Sequence, residues 1–263
     1  MTATAKSTPI IHTMFTKVPQ ITLFFWIIKV LATTVGETAA DYLNFQLNWG
    51  LTNTTYAMSG ILLVALVAQF RMRTYTAWIY WLTVVLLSVV GTLITDNLVD
   101  NLGVSLVTTT SVFSVALIAV FGLWYQSERT LSIHSITTVR REVFYWLAIL
   151  FTFALGTAAG DLLAETLNVG YLLSAVLFAG VIAVIAFAHY RLKLDAITAF
   201  WVAYIITRPL GASIGDYLSQ LPEDGGLGLG TTITSVIFLT IILGFVVYLA
   251  ITKKDHIAPS TSV

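Results

Sequence analysis

The stretch Val35-Gly36-Glu37-Thr38-Ala39-Ala40-Asp41 sets two carboxylates four residues apart near the end of a strongly apolar run. Trp26 stands ten residues before Gly36, and Asp41 five after it. The same frame returns as Trp81, Gly91 and Asp96, as Trp146, Gly156 and Asp161, and as Trp201, Gly211 and Asp216. The copies start 55, 65 and 55 residues apart, so the chain reads as four tandem units. On a helix, Lys29, Thr33, Gly36, Glu37 and Ala40 share one face, with Asp41 four residues after Glu37. That face is small and polar, and it should look into a bundle rather than toward lipid.

Composition fixes the solvent. Hydrophobic residues make up 57% and charged residues 10% of the chain, where a soluble domain carries about 25% charged residues. Such a chain cannot cover itself with a water-facing surface and reads as an integral membrane protein. The 13 basic and 13 acidic residues cancel, which gives no reason to expect nucleic acid as a partner. The absence of cysteine excludes disulfides, thiolate metal sites and thiol catalysis.

Eight apolar segments are long enough to span as helices, at about 19–43, 54–71, 75–98, 104–125, 143–164, 171–190, 196–219 and 231–251. The expected class is all-α, with four parallel tandem helical hairpins and pseudo-symmetry about the membrane normal. The division is a tail at 1–17, repeats at 18–73 and 74–126, a linker at 127–142, repeats at 143–193 and 194–252, and a tail at 253–263. The linker reads as a joint between halves. Lys6, Lys17, Arg71, Arg73, Arg129, Arg140, Arg141, Arg191, Lys193, Lys253 and Lys254 all fall on one side of the spans, and the opposite connections hold no Lys or Arg. By the positive-inside rule both termini are expected in the cytoplasm. Each Asp then lies ~22 Å beyond its Trp, toward the outer face.

The chemistry sits on the odd helices, which should line a central axis. An ionisable residue within a span is a functional hypothesis by default. Here there are Asp41, Asp96, Asp161, Asp216 and Glu37, with Lys29 and Arg208 as the basic residues. Four parallel units would bring the Asp into one layer that attracts cations, with Thr38, Thr92 and Thr157 adding oxygen atoms. Closely held carboxylates disfavour double ionisation, which equips a site to exchange a proton for a cation. The bland alternatives are that the Asp are simply solvated and that Lys29 and Arg208 are counter-ions for the acids rather than substrate ligands or coupling groups. Trp26, Trp81, Trp146 and Trp201 read as packing or interfacial anchors, with a cation–π site as the alternative. Gly36, Gly91, Gly156 and Gly211 read as close helix packing, and Pro209 allows a kink. Hydroxyls near the starts of the second helices, at Thr54, Thr55, Thr108, Ser174, Thr234 and Ser235, could add ligands or simply bond to backbone. The four His lie away from the acids.

On these residues the chain resembles a bacterial family of uncharacterised membrane proteins built from four tandem repeats of unknown function (DUF347-like), each with two spans and a tryptophan. The four repeat Trp, Gly36–Asp41 and Arg208–Asp216 carry the likeness, which covers about 18–252. The resemblance implies a multi-pass protein of the bacterial inner membrane and brings no activity with it.

Function therefore rests on the site. The leading expectation is a secondary transporter for a cation. Carboxylates and hydroxyls suit a hard divalent metal such as manganese, magnesium or calcium, with Glu37, Asp41, Asp96, Asp161 and Asp216 as its ligands and proton-coupled export as one mode. No tightly bound cofactor is expected. The expected partners are the lipid bilayer and a small cation, and the oligomeric state stays open. A small organic cation or polar solute is the second reading, and a membrane scaffold or sensor subunit the third. No Ser-His pair or His-Glu-x-x-His motif in the spans supports an enzyme.

Overall fold

A computed structural model describes residues 16–47 and 49–256. The greater part of each tail, with Lys6 and His12, lies outside the described residues. Eight α-helices follow one another: α1 (Leu23–Asp41), α2 (Leu51–Arg71), α3 (Ala77–Asp96), α4 (Leu106–Glu128), α5 (Val139–Asp161), α6 (Tyr171–Leu192), α7 (Ala196–Ser219) and α8 (Gly230–Thr252). All eight are long and apolar enough to cross a membrane, so the chain is an all-α, multi-pass membrane protein.

The odd helices form the inner ring. Between 56% and 78% of each odd span is buried, against 11–28% of each even span. Around the axis α1 packs on α3, α3 on α5, α5 on α7, and α7 back on α1. The even helices show lipid-type side chains outward, among them Val64, Ile118, Val184 and Leu243. In the tandem hairpins the second helix packs past its own first helix: α2 lies on α3, α4 on α5, α6 on α7, and α8 on α1. Each repeat thus lends its second helix to its neighbour. The connections at the end away from the basic residues make this step, turning at Gly50, Gly103 and Gly170 with positive φ, which suits residues lacking a Cβ.

The repeat frame explains how the ring closes. Each repeat glycine meets the side chain three residues before the next repeat's glycine: Gly36 against Ser88, Gly91 against Phe153, Gly156 against Arg208, and Gly211 against Thr33. A Cβ at any of the four would overlap its neighbour. One layer toward the basic end, the aromatic residue before each Trp packs on the Trp of the next repeat. Phe25 meets Trp81 at 5.5 Å between centroids, Tyr80 meets Trp146 at 5.5 Å, Tyr145 meets Trp201 at 6.1 Å, and Phe200 meets Trp26 at 5.8 Å. This ring fills the axis, and the Tyr80 and Tyr145 hydroxyls meet within it at 2.5 Å. The Trp quartet is therefore packing rather than a free cation–π surface.

The basic end is closed by folded chain. The linker 127–142, read from sequence as a joint, carries a short 3-10 turn, Ile133–Ser135, and buries Ile133 and Ile136 in the core. Its Leu131 carbonyl accepts from Trp201 Nε1 at 2.9 Å. Lys17 reaches Glu142 at 2.5 Å and also donates to the Phe70 carbonyl, which ties the first segment to the second half. Tyr75 donates to Asp255 at 2.5 Å. Burial first, and then the Asp255 carboxylate, raise the Tyr75 pKa, so its hydroxyl stays a donor.

Candidate functional site

At the opposite end of the axis the helices splay around an acidic cavity. α1, α3 and α5 do not stop at their Asp. Each continues into one π-helical turn, at Tyr42–Gln46, Asn97–Asn101 and Leu162–Thr166. Such turns are closed by i→i+5 bonds, here Leu47 N–H to the Tyr42 carbonyl, Leu102 to Asn97 and Leu167 to Leu162. The turns carry α3 and α5 past their Asp, and Asp100 and Glu165 within them line the cavity together with Asp96 and Asp161. α7 lacks the turn. Its last carbonyls instead receive N–H groups from the glycine-rich loop, Leu227 to Tyr217, Gly228 to Gln220 and Leu229 to Leu218. That loop, 222–230, is a cap for α7.

The cavity measures about 130 Å³ and is lined by Glu37, Asp41, Asp96, Asp100, Asp161, Glu165 and Asp216, with Asn44, Gln220, Val99 and Leu106. The sequence expectation of one acidic layer holds: all four repeat Asp and Glu37 are brought together. Among the described residues no protein group donates a hydrogen bond to any of the four Asp carboxylates. Asp100 and Glu165 were missed in sequence. Their signal was an acid four residues after the frame Asp in two repeats, with Gln220 at the same place in the fourth.

The five acids expected to bind a metal share this cavity; among the described residues no three His, Cys, Asp or Glu form a group that could hold a metal ion as they stand. Each comes from a different wall of the ring or a different depth, so the cavity is wider than a bare ion.

Beneath the cavity, Arg208 holds the lining residue Glu37. The arginine side chain is fully buried and reaches from α7 across the axis. Nη2 donates to Glu37 Oε2 at 2.8 Å, to Thr157 Oγ1 at 2.7 Å and to Thr92 Oγ1, while Nη1 donates to the Thr33 carbonyl at 3.2 Å. Glu37, Thr92 and Thr157 are the residues directly after Gly36, Gly91 and Gly156; the fourth, Ala212, leaves the gap through which Arg208 enters. α7 runs through Pro209 without interruption, and the Thr33 hydroxyl bonds to the Thr207 carbonyl beside it at 3.2 Å.

Lys29 differs from its expected role. It makes no ion pair among the described residues. Its Nζ is buried without a hydrogen-bond partner, 4.3 Å from the Phe153 ring centre and 4.2 Å from that of Tyr204. Glu37, the nearest acid on its own helix, lies two turns away and is already held by Arg208, and one helical turn separates the two basic groups along the frame. Thr38 also lies off the cavity: it bonds the Thr34 carbonyl and accepts from Ser235 at 2.8 Å. The other second-helix hydroxyls take local partners or stay buried. Thr234 bonds the Gly230 carbonyl, Thr55 the Leu51 carbonyl and Thr108 the Ser105 hydroxyl, and none of the six lines the cavity.

No curated protein and no solved structure matches the chain. One family does, the "Repeat of Unknown Function (DUF347)", at residues 24–75, 79–130, 144–195 and 199–255. Those four matches take in the Trp, Gly and Asp of each repeat and most of the chain, which therefore belongs to that family of fourfold repeat membrane proteins.

Proposed function

We propose that the chain is a secondary transporter for a cation, seated in the bacterial inner membrane with both termini in the cytoplasm. One observation carries the reading. Seven carboxylates line a single cavity on the repeat axis, and the four repeat Asp receive no hydrogen bond from the protein among the described residues. Carboxylates left to mutual repulsion at low dielectric need cations or protons to balance them. The cavity opens at the acidic end and is closed below by Arg208 and the aromatic ring. This arrangement fits a transporter resting with one side shut.

The cargo we favour is a hard divalent cation such as manganese. Oxygen ligands suit it. A space of about 130 Å³ holds several waters, so the ion would enter with much of its hydration shell. Export in exchange for protons would use the same carboxylates. A small organic cation is the second reading, favoured by the way a guanidinium already sits on the axis. The orientation follows from the basic residues gathered at one end. A reporter fused after Val263 is expected to behave as cytoplasmic; periplasmic activity from that fusion would invert the proposed direction of the cavity.

The quadruple variant Asp41→Asn, Asp96→Asn, Asp161→Asn, Asp216→Asn tests the cavity. It removes four repelling charges without changing shape. In detergent it should melt at or above the wild-type temperature in the absence of metal. Wild type should gain melting temperature on addition of Mn²⁺ and the variant should not. Uptake of Mn²⁺ into proteoliposomes should fall with the same variant. An unchanged Mn²⁺ response in the folded variant would remove the cavity from the pathway.

A further inference from the structure

The contacts of Arg208 describe a binding site from the ligand's side. Glu37 Oε2, Thr92 Oγ1, Thr157 Oγ1 and the Thr33 carbonyl converge on one guanidinium. Both hydroxyls accept from Nη2: the Thr157 proton turns back to the Phe153 carbonyl at 3.3 Å, and the Thr92 proton has the Ser88 carbonyl at 3.2 Å and Glu37 Oε2 at 3.4 Å as acceptors. Glu37, Thr92 and Thr157 are buried. Three repeats thus supply four oxygens with one negative charge. The fourth repeat supplies no oxygen there, and its arginine, three residues before the glycine, fills the space.

We propose that Glu37, Thr92, Thr157 and the Thr33 carbonyl form an inner site for a monovalent N–H-donating cation, and that Arg208 is its tethered occupant. The proposal rests on the reading of the chain as a cation transporter and adds a second, deeper station to it. The cavity above holds only acids, amides and two apolar side chains, so a cation entering from it meets Glu37 next and must compete with Nη2 for Oε2. The arrangement of donors selects the ligand class. Every oxygen of the site accepts from N–H in this conformation, and a single carboxylate balances a single positive charge. Lys29 stands beyond on the same helix as Glu37, its Nζ between the Phe153 and Tyr204 rings. The titratable groups around the site are therefore Glu37 and Lys29 on α1 and Arg208 on α7, with the cavity acids Asp41, Asp96, Asp161 and Asp216 above them; Ser88, Thr92, Phe153 and Thr157 at the level of the site are not titratable.

Removal of the tether is the test. Purified Arg208→Ala should leave an unoccupied site that free guanidinium can fill. Millimolar guanidinium chloride should raise its melting temperature saturably by several degrees, where sodium chloride and tetramethylammonium chloride do not. Wild type, with the site filled, should show no such rise, and Arg208→Ala/Glu37→Gln should lose it. Where Arg208→Ala survives purification only with guanidinium present, that recovery is the same positive result. Arg208→Gln supplies a second background, with a neutral side chain in place of the tethered guanidinium: guanidinium chloride should raise its melting temperature as well. The proposal is overturned if folded Arg208→Ala ignores guanidinium, or if guanidinium neither recovers Arg208→Ala nor stabilises folded Arg208→Gln. Absence of any Mn²⁺ response in wild type and in all variants would sink the divalent cargo instead, and the guanidinium response would still decide the inner site.

Discussion

Glu37→Gln is expected to lower the stability of the protein by about 3–5 kcal/mol, the range found when one partner of a buried ion pair is removed. The reason is what remains. Arg208 is fully enclosed, and its Nη2 loses the one carboxylate it contacts. Glutamine keeps an oxygen for a hydrogen bond but not the charge. Double replacement, Glu37→Gln with Arg208→Met, should recover most of the loss, since no buried charge is then left alone and a flexible apolar chain can occupy the arginine's volume. Thermal unfolding of the four proteins in one detergent closes the double-mutant cycle. Additive losses would mean that the pair does not act as a clamp. Transport should be lost in both Glu37→Gln proteins, the stable double variant included, which separates the role in transport from the role in folding.

The second large effect concerns glycine, and it has opposite signs at two sets of positions. Gly36→Ala, Gly91→Ala, Gly156→Ala and Gly211→Ala each place a Cβ where another helix already is. At Gly91 the new atom would stand 2.7 Å from Phe153 Cβ and 3.1 Å from the Ala154 nitrogen, so backbone must move. Overpacking of this kind costs about 1–3 kcal/mol, and here one displaced helix disturbs a closed ring of four. Gly60, Gly122, Gly180 and Gly244 have open space where a Cβ would go. Alanine there should stabilise by about 0.5–1 kcal/mol, the helix-propensity difference alone. Melting temperatures of the eight single variants check the division. A ring glycine that accepts alanine without loss would show that the helices are not in contact as described.

The inner ring was legible because its residues repeat. Trp, Gly and Asp at fixed offsets put the acids at one depth and the small residues at another, and the odd helices had to share an axis. What did not repeat was harder to read. Arg208 has Thr33, Ser88 and Phe153 as its counterparts, so no pattern announced that its side chain would cross the axis to Glu37. Lys29 looked equivalent to it by charge, yet a lysine one turn away finds rings rather than an acid. Asp100 and Glu165 lie past the frame, in π turns whose wider pitch is not visible in an α-helical periodicity. The aromatic ring was available in the sequence as the residue before each Trp: Phe25, Tyr80, Tyr145 and Phe200. The lending of each even helix to the next repeat was not, because an evenly apolar helix facing lipid has no stripe that names its neighbour.

The seam between α8 and α1 has a consequence for how the protein is made. Helices that pack in chain order can be set in place as they leave the ribosome, but α1 finds two of its three main neighbours, α7 and α8, only at the end of synthesis. Glu37 and Arg208 are 171 residues apart. At the usual pace of translation, roughly 5–20 residues per second, the acid is in the bilayer about 10–30 s before its arginine exists. During that interval Lys29 and Glu37, two turns apart on a lone helix, have lipid, water or the insertion machinery for company. The first repeat is therefore the one most exposed to quality control during biogenesis, and the last repeat is the one that releases it.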